Sequence, residues 1–536
     1  MAHAADRTLV VASFAPRTNG EALARAAEVP AGARGVEIRL DGMEETPDLG
    51  AMRRAFAGKV LLATIRSVEE GGGGRADEAE RARVLAAALV AGFDLADVEA
   101  FRPGGDRLLG LPPGKVVASF HLPANVADVA DVVDVAGVPA NLPGLLRRLA
   151  EGAPAHAKLV ASPRDSSGAL ALLEAQASAG GNGGRGATGF AVFGMGEAGI
   201  ATRALSPYLG ASLSFGAFDA PSATAPGQLP VDELVQVYGV GRRGGVEGIC
   251  ALFGGVVSHS LSPALHNGNF EAGGDPLLYV PFALRSLEEE LPSLAARLAR
   301  LGLPLRGASV TIPFKDEAAR IGGGGLPAAN TLLPSGTGWR SENTDRDAFD
   351  ALVPPAAAGE RALVLGAGGT ARTAVEALLA RGYRVTIAAR TRARAEALAR
   401  STGAADEVVD VIDVAGVADV ADVAGVVPQV ASFSGAHPFA LLVNATPLGL
   451  RAGDPLPCPE GVLRPPLLVV DAPYRPGGTP LARLARARGL RLVDGFTLLA
   501  AWAARQATLF TSRPATAAGL VGSLPASRRG SLEVTP

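Results

Sequence analysis

The stretch RALVLGAGGTARTAVEALLARG, Arg361 to Gly382, decides half of the fold. The apolar run Ala362–Leu365 reads as a buried strand, and Val375, Leu378 and Leu379 follow at helical spacing. Between them stand Gly366, Ala367, Gly368, Gly369, Thr370 and Ala371. This is a G-x-G-x-x-G/A fingerprint in the context it requires, after a strand and opening a helix. Gly366 permits the tight turn, Gly368 lets backbone approach a pyrophosphate, and Ala371 lets the helix pack on the strand. Free N–H groups at the helix start suit phosphate oxygens. The next strand, Arg384–Ala389, ends at Arg390, with Thr391 beside it and Arg394 one helical turn on. An NAD site calls for an acid about 20 residues beyond the glycines, whereas arginine suits a 2′-phosphate, so the expected cofactor is NADPH/NADP. The alternative is a glycine cluster that only packs helix on strand, with arginines at the surface.

Working outward, 536 residues exceed one ordinary core, so two or more domains are expected. A net charge of −3 advertises neither nucleic acid nor a membrane surface, and no apolar run approaches the ~20 residues of a span. The residues before RTLVVASF are too few and too charged for a signal peptide. Cys250 and Cys458 make no disulfide framework and no metal cluster. The expectation is a soluble, cytoplasmic protein, monomer or homodimer, whose partners are small molecules rather than nucleic acid or membrane. Of 50 basic residues only Lys59, Lys115, Lys158 and Lys315 are lysine. Where arginine serves as the general surface cation, a retained lysine draws attention, because an amine can lose its proton near neutrality and a guanidinium cannot. Chance retention suffices for at least two of the four.

From residue 7 to 218 the sequence offers RTLVVASF, GVEIRLD, VLLATIR, FDLADVE, KVVASFH, AHAKLVAS, GFAVFGM and ASLSFGAF as strands. Helical or long polar connections separate them, including Glu80–Ala91 and Ala169–Ser178. This alternation predicts a (β/α)8 barrel. Polar residues gather at the C-terminal ends of five successive strands: Glu37 and Arg39, Thr64 and Arg66, Glu99, Ser119 and His121, and Lys158. In a barrel those ends converge on one face.

The motifs EIRLD (37–41), TIR (64–66), DVE (97–99), SFH (119–121), Lys158 in AKLVAS, MGEAGIATR (195–203) and APGQ (225–228) resemble, in order, those of the type I 3-dehydroquinate dehydratases. The resemblance implies a Schiff base between Lys158 and a substrate ketone, with His121 removing the acidified proton and assisting loss of water. It implies that Glu99 orients His121 and that Arg203 binds the substrate carboxylate. Glu37, Arg39, Arg66, Thr224 and Gln228 would contact hydroxyls or shape the site. Leu122 stands where the family usually has an acid or amide, and Thr224 where it often has serine. The tracts ANVADVADVVDVAGV (124–138) and VDVIDVAGVADVADVAGVV (409–427) share DVAGV and read as insertions without chemistry.

GVGRRGGVEG (239–248) lacks apolar periodicity and marks a linker. Beyond it, ICALFG, LLYVPFAL and LRGASVTIP read as strands and Leu287–Leu301 as an amphipathic helix. HSLSPALHN (259–267), SVTIPFK (309–315), AANT (328–331), ENTD (342–345), GAGGTAR, NATPLGL (444–450) and APYRPGGTPL (472–481) resemble the successive motifs of shikimate dehydrogenase. The resemblance implies that Ser260 and Ser262 bind the substrate carboxylate and that Thr311, Asn330, Asp345 and Tyr474 lie on the substrate. Lys315, paired with Asp345, would protonate the carbonyl oxygen as hydride arrives from NADPH. Gly366–Ala371, Arg390, Thr391, Arg394, Asn444 and Thr446 would hold the nucleotide. Trp502 replaces a usual glutamine, Leu498 a usual methionine, and Ala389 a common asparagine.

The expected architecture is an α/β barrel over 1–238, the linker, and a two-lobed α/β dehydrogenase. Its substrate lobe spans 249–352 and its Rossmann-type lobe 353–494, with a returning C-terminal helix in 495–525 and a tail over 526–536. The expected function is a bifunctional enzyme that dehydrates 3-dehydroquinate and reduces the resulting ketone to shikimate. An oxidative quinate/shikimate dehydrogenase and an inactive ligand-sensing regulator are the alternatives.

Overall fold

The computed structural model describes all residues except 1–4, 74–76, 102–109, 123–137, 139, 182–187, 403–408, 414–438, 452 and 526–536. Most of both DVAGV tracts therefore lies outside the described residues. The chain divides into two compact units, Met1–Pro263 with Gly274–Ala308, and Ala264–Gly273 with Ser309–Pro536.

In the first unit each of the eight segments read from the sequence supplies one strand. They are β1 (Leu9–Phe14), β2 (Gly35–Arg39), β3 (Val60–Thr64), β4 (Leu95–Glu99), β5 (Val116–His121), β6 (His156–Ala161), β7 (Gly189–Gly194) and β8 (Leu213–Ala217). They pair in parallel in the order β7-β6-β5-β4-β3-β2-β1-β8. Ser212 N–H donates to the Phe190 carbonyl (2.7 Å), which brings the two ends of that order together into a nearly closed barrel. Helices α1 (Asn19–Ala24), α2 (Leu49–Ala55), α3 (Glu78–Val90), α4 (Leu142–Leu149), α5 (Ser166–Gly181) and α6 (Gly196–Leu205) alternate with the strands. The Asp77 carboxylate caps α3 through the Glu80 N–H (2.8 Å), so that helix begins before the apolar pattern does.

Strand alternation sorts the interior. Val11, Leu62, Leu95, Val117, Leu213 and Phe215 pack into one buried cluster. Two residues further along the same faces come Ser13, Thr64, Asp97 and Ser119. A side-chain period of two makes this layering strict: a one-residue slip would turn every one of these polar groups to the other face.

The first unit continues with β9 (Gly248–Gly254), which pairs in parallel with β10 (Leu277–Ala283). Between them in sequence α7 runs Ser262–Gly273, of which Ala264–Gly273 belongs to the second unit. Next, α8 (Leu287–Arg300) buries Leu287, Leu291, Leu294 and Leu298 at helical spacing. Strand β11 (Leu305–Val310) follows.

The second unit carries α9 (Lys315–Gly322), the antiparallel pair β12 (Thr331–Ser335) and β13 (Gly338–Glu342), and α10 (Thr344–Leu352). The opening fingerprint then folds as read, as β14 (Arg361–Leu365) and α11 (Gly369–Ala380). After it come β15 (Arg384–Ala389), α12 (Arg392–Ser401), β16 (Val409–Asp413), β17 (Leu441–Asn444), β18 (Leu468–Asp471), α13 (Pro480–Ala487) and β19 (Arg491–Val493). The six strands form a parallel sheet ordered β16-β15-β14-β17-β18-β19. The order reverses between β14 and β17, the point where such sheets open a crevice for a dinucleotide. The chain closes with α14 (Gly495–Thr511) and α15 (Ala517–Gly522). No helix among the described residues is long and apolar enough to cross a membrane.

Two candidate active sites

At the C-terminal end of the barrel strands lies a cavity of about 520 Å³. Glu37, Arg39, Arg66, His121, Lys158, Arg203, Thr224 and Gln228, all singled out in the sequence, line it. Lys158 is 4% exposed, with Nζ 3.1 Å from Asp97 Oδ2 and 3.9 Å from Glu37 Oε1. The ammonium also sits 4.3 Å from the centre of the Phe215 ring. Burial would raise the Asp97 carboxyl, but Arg66 and Lys158, with the Ser119 hydroxyl, pull it down to about 2. Asp97 thus stays anionic beside the amine. Arg66 is the hub of this layer: it reaches Asp97 (2.9 Å), Glu70 (3.1 Å) and Glu99 (3.2 Å). Burial opposes its charge, yet these carboxylates and Glu37 hold its pKa above the ordinary arginine value.

His121 Nδ1 lies 3.0 Å from Glu70 Oε2, and the His121 N–H donates to the same oxygen (3.1 Å). Burial, then the charges of Arg66, Lys158, Arg39 and Arg203, keep the imidazole well below its ordinary pKa, so it is neutral. The carboxylate at this ring is therefore that of Glu70, where the resemblance pointed to Glu99. The reason is local competition: Glu99 accepts from the Ser67 N–H (2.8 Å) and pairs with Arg66 and with Arg81 (2.8 Å). Glu70 stands on the turn after β3 and reaches the cavity from above the strand ends.

Arg203 is 5% exposed, its guanidinium 4.9 Å from the Phe193 ring centre, and burial lowers its pKa to about 10. Its Nε has no hydrogen-bond partner, so a buried cation lines the cavity ready for an anion. Arg39 is held by both oxygens of Asp41 (2.7 and 2.8 Å). Thr224 N–H and Oγ1 bond Gln228 Oε1 (2.7 and 3.1 Å), and the Thr224 hydroxyl lies 3.2 Å from Ser13 Oγ. Lys59 instead donates to the Ala33 carbonyl (2.7 Å) outside the cavity, a structural use of its amine.

The second unit gathers another set. Lys315, the first residue of α9, places Nζ 2.5 Å from Asp345 Oδ2. Asn330 Nδ2 donates to the other Asp345 oxygen (2.7 Å), and Asn330 Oδ1 accepts from the Thr344 N–H (2.8 Å). Gln506, 3% exposed on α14, donates to the Asn330 carbonyl (3.1 Å) and Thr331 Oγ1 (2.9 Å) and accepts from Ser309 Oγ (2.8 Å). The sequence reading missed Gln506; it stands four residues after Trp502, on the same helical face. Trp502 itself packs partly buried on the apolar core that includes Leu498 and Val375. Thr311 precedes α9, its carbonyl accepting from the Phe314 N–H (3.0 Å).

The glycine turn leaves backbone open at the start of its helix. Gly366 has φ +111°, and a Cβ there would meet the Ala445 carbonyl at 3.0 Å, whereas one on Gly368 would meet nothing within 4 Å. A Cβ on Gly369 would lie 3.5 Å from Lys315 Cδ, so the turn adjoins the lysine. Asn444 ties the facing loop, donating to Asp471 (2.8 Å) and accepting from Thr446 Oγ1 (2.7 Å). Arg390, Thr391 and Arg394 are exposed just past β15. Tyr474 stands on the loop after β18, half-buried. In the first unit, Ser262 is buried and its N–H donates to Ser260 Oγ (3.2 Å).

A barrel with a buried amine and a neutral imidazole, followed by a dinucleotide-type sheet with a lysine–aspartate pair, defines a two-centre lyase and oxidoreductase. The type I 3-dehydroquinase family model matches residues 11–243, the shikimate dehydrogenase substrate binding domain 252–322, and shikimate / quinate 5-dehydrogenase 351–428. A shikimate dehydrogenase (NADP(+)) of Rubrobacter xylanophilus is 41% identical over 278 residues, 48% of this chain and 89% of the relative. A chloroplastic bifunctional 3-dehydroquinate dehydratase/shikimate dehydrogenase of Arabidopsis thaliana is 27% identical over 90% of this chain and 78% of its own length. A solved dehydroquinate dehydratase and shikimate dehydrogenase from S. pombe is 22% identical, covering 97% of this chain and 98% of that one, with a TM-score of 0.39. The chain belongs to the shikimate dehydrogenases, and its first half matches the type I 3-dehydroquinase family model. It has the architecture of the bifunctional enzymes that join the two.

Proposed function

We propose that this chain dehydrates 3-dehydroquinate to 3-dehydroshikimate in its barrel and reduces that product to shikimate in its second half. Lys158 Nζ adds to the substrate ketone and water leaves, giving an iminium that acidifies the neighbouring C–H. His121 takes that proton, and the resulting enamine expels the β-hydroxyl, to which His121 returns the proton so that water departs. Hydrolysis of the iminium restores the amine and releases the enone. Asp97 stabilises the cationic nitrogen, Arg203 binds the carboxylate, and Glu70 holds the His121 tautomer. Glu99 supports that arrangement through Arg66. Glu37, Arg39, Thr224 and Gln228 surround the ring hydroxyls.

In the second half, bound NADPH supplies hydride to the carbonyl carbon. Lys315 delivers a proton to the developing alkoxide, and Asp345 aims the amine. Asn330, Thr311 and Tyr474 contact the ring, and Ser260 and Ser262 hold the carboxylate. Gly366, Ala367, Gly368, Gly369, Thr370 and Ala371 cradle the pyrophosphate. Arg390, Thr391 and Arg394 receive the 2′-phosphate, and Asn444 and Thr446 border the nicotinamide end. The limits of the matched families support a boundary at 239–248 between barrel and dehydrogenase. The protein acts in the cytoplasm on small molecules, as a monomer or homodimer.

The observation that carries this reading is the pair of lysines, one buried beside Asp97 in the cavity that a neutral imidazole also lines, the other salt-bridged to Asp345 beside the glycine turn. Purified protein given 3-dehydroquinate and NADPH tests both halves at once, with enone absorbance and NADPH followed together. NADPH is expected to fall mole for mole with substrate, and NADH to serve poorly. Enone that accumulates while NADPH stays constant would overturn the reductase assignment, and no enone with no oxidation would overturn both.

A further inference from the structure

The turn that carries Ser260 and Ser262 is anchored from the barrel. Glu197, second residue of α6, accepts through Oε1 from the backbone N–H groups of Val257 (2.5 Å) and Ser258 (2.7 Å). The hydrogen bonding continues inward: the Val257 carbonyl accepts from the Ser260 N–H (3.2 Å), and Ser260 Oγ accepts from the Ser262 N–H (3.2 Å). A single carboxylate thus begins an unbroken chain that ends at both serines.

On its other side Glu197 follows Met195 and Gly196, which line the barrel cavity. The Gly196 N–H donates to the Pro226 carbonyl (3.0 Å), and a Cβ on Gly227 would meet the Gly196 oxygen at 2.5 Å, so the backbone that presents Glu197 is tightly packed. Further pairs join the same parts of this unit. Arg297 on α8 grips both oxygens of Glu174 on α5 (2.8 and 2.8 Å), and Ser166 donates to Glu290. The acceptor is therefore on a fixed support; in the segment it holds, GGVVSHS (254–260), Val257 is buried, whereas Val256 (58% exposed), Ser258 and His259 face solvent.

We infer that Glu197 is a positioning residue for the reductase centre, fixing the Val257–Ser262 turn so that both serine hydroxyls are preset for the substrate carboxylate. This rests on the proposed role of Ser260 and Ser262. A carboxylate that accepts two successive backbone N–H groups makes charge-assisted bonds and fixes two peptide planes together. Without it the turn samples several conformations, and the cost of ordering it falls on substrate binding. The chemical step at Lys315 is untouched. Loss of Glu197 should therefore show in KM for the carboxylate-bearing substrate and little in kcat.

The test compares Glu197→Ala, Glu197→Gln and Ser260→Ala in the full chain, measuring shikimate oxidation with NADP+ and, separately, 3-dehydroquinate dehydration. Glu197→Ala is expected to raise KM for shikimate about tenfold. KM for NADP+ and the dehydratase rate of the same protein should stay unchanged, which reports an intact fold. Glu197→Gln, which keeps an acceptor oxygen, is expected to recover most of the loss. An unchanged shikimate KM in Glu197→Ala, with Ser260→Ala raising it, overturns the role of Glu197 alone. If Ser260→Ala also leaves KM unchanged, the serine assignment falls and the inference falls with it. A parallel loss of both activities in Glu197→Ala would mark a merely structural residue and likewise overturn the proposal.

Discussion

Lys158 and Lys315 are two of only four lysines in the chain, and their surroundings ask different things of an amine. Lys158 is enclosed in the barrel, 4% exposed, with Asp97, Glu37 and the Phe215 ring around Nζ, Arg66 holding Asp97 and the Ser13 and Thr64 hydroxyls holding Glu37. Lys315 stands on the first turn of a helix, its side chain 15% exposed, with one carboxylate on its nitrogen and the glycine turn beside its stem. An enclosed amine with acids on several sides suits bond formation with a substrate that must come to it. A partly buried amine aimed by one aspartate suits proton delivery to an oxygen that becomes charged only as hydride arrives. Arginine can do neither, since it neither forms the iminium nor gives up its proton. The proposed mechanism thus accounts for lysine at both places in a chain whose other bases are arginine except Lys59 and Lys115.

The largest expected effect breaks the first half of this comparison. Lys158→Met should lower dehydratase turnover by about 10⁴-fold or more while shikimate oxidation in the same protein stays within about twofold. Borohydride added during turnover should trap a substrate adduct on the wild-type chain and none on the variant, read by intact mass. An adduct that persists in Lys158→Met would move the nucleophile elsewhere and leave Lys158 as a plain counter-ion to Asp97.

The second effect is smaller because no covalent step is lost. Lys315→Met should reduce dehydrogenase kcat by about 10³-fold, with KM for shikimate changed far less and the dehydratase unaffected. A variant whose KM rises while kcat holds would recast Lys315 as a binding residue, and the contrast between the two amines would collapse into one of location alone.

How much of this was legible follows from what each residue's signal depends on. The barrel strands were readable because short apolar runs recur between helical stretches, and the fingerprint was readable because strand, glycines and helix came in one piece. Asp97 was passed over although DVE places it two residues before Glu99, on the same face of β4; alternation alone marks it as interior, and only the fold brings β6 and Lys158 alongside. Glu70 lies in SVEEGGGG, a turn with no periodicity, so nothing local separates it from Glu69. Its importance is a product of where β3 and β5 end in space. Gln506 was hidden differently, beyond a Trp502 that drew attention because it broke a pattern. The departure at Trp502 marked a position worth inspecting, while the buried Gln506 that braces Asn330 stood one helical turn away.

Glu70 also provides the finest test of the contrast. Burial pushes its carboxyl up to about 8, with Arg66 opposing and the charges of Glu99 and Asp97 adding to the rise. Its partner His121 is held neutral by burial and by the surrounding guanidinium and ammonium groups. As pH falls, the pair shifts toward protonated Glu70 donating to Nδ1, which leaves the hydrogen on Nε2, where no lone pair is free to take a substrate proton. As pH rises, Glu70 becomes a carboxylate accepting from Nδ1–H, and Nε2 becomes the base. Since the base-competent form grows as the proton is lost, dehydratase kcat/KM should rise with pH on a limb centred near the value set for Glu70, about 8. Glu70→Gln cannot ionise, so it should erase that limb and lower the rate at its upper plateau by about tenfold, with dehydrogenase activity on the same chain within about twofold. A limb that survives in Glu70→Gln would assign it to another group of the cavity, Lys158 first, and the imidazole would then draw its tautomer from elsewhere.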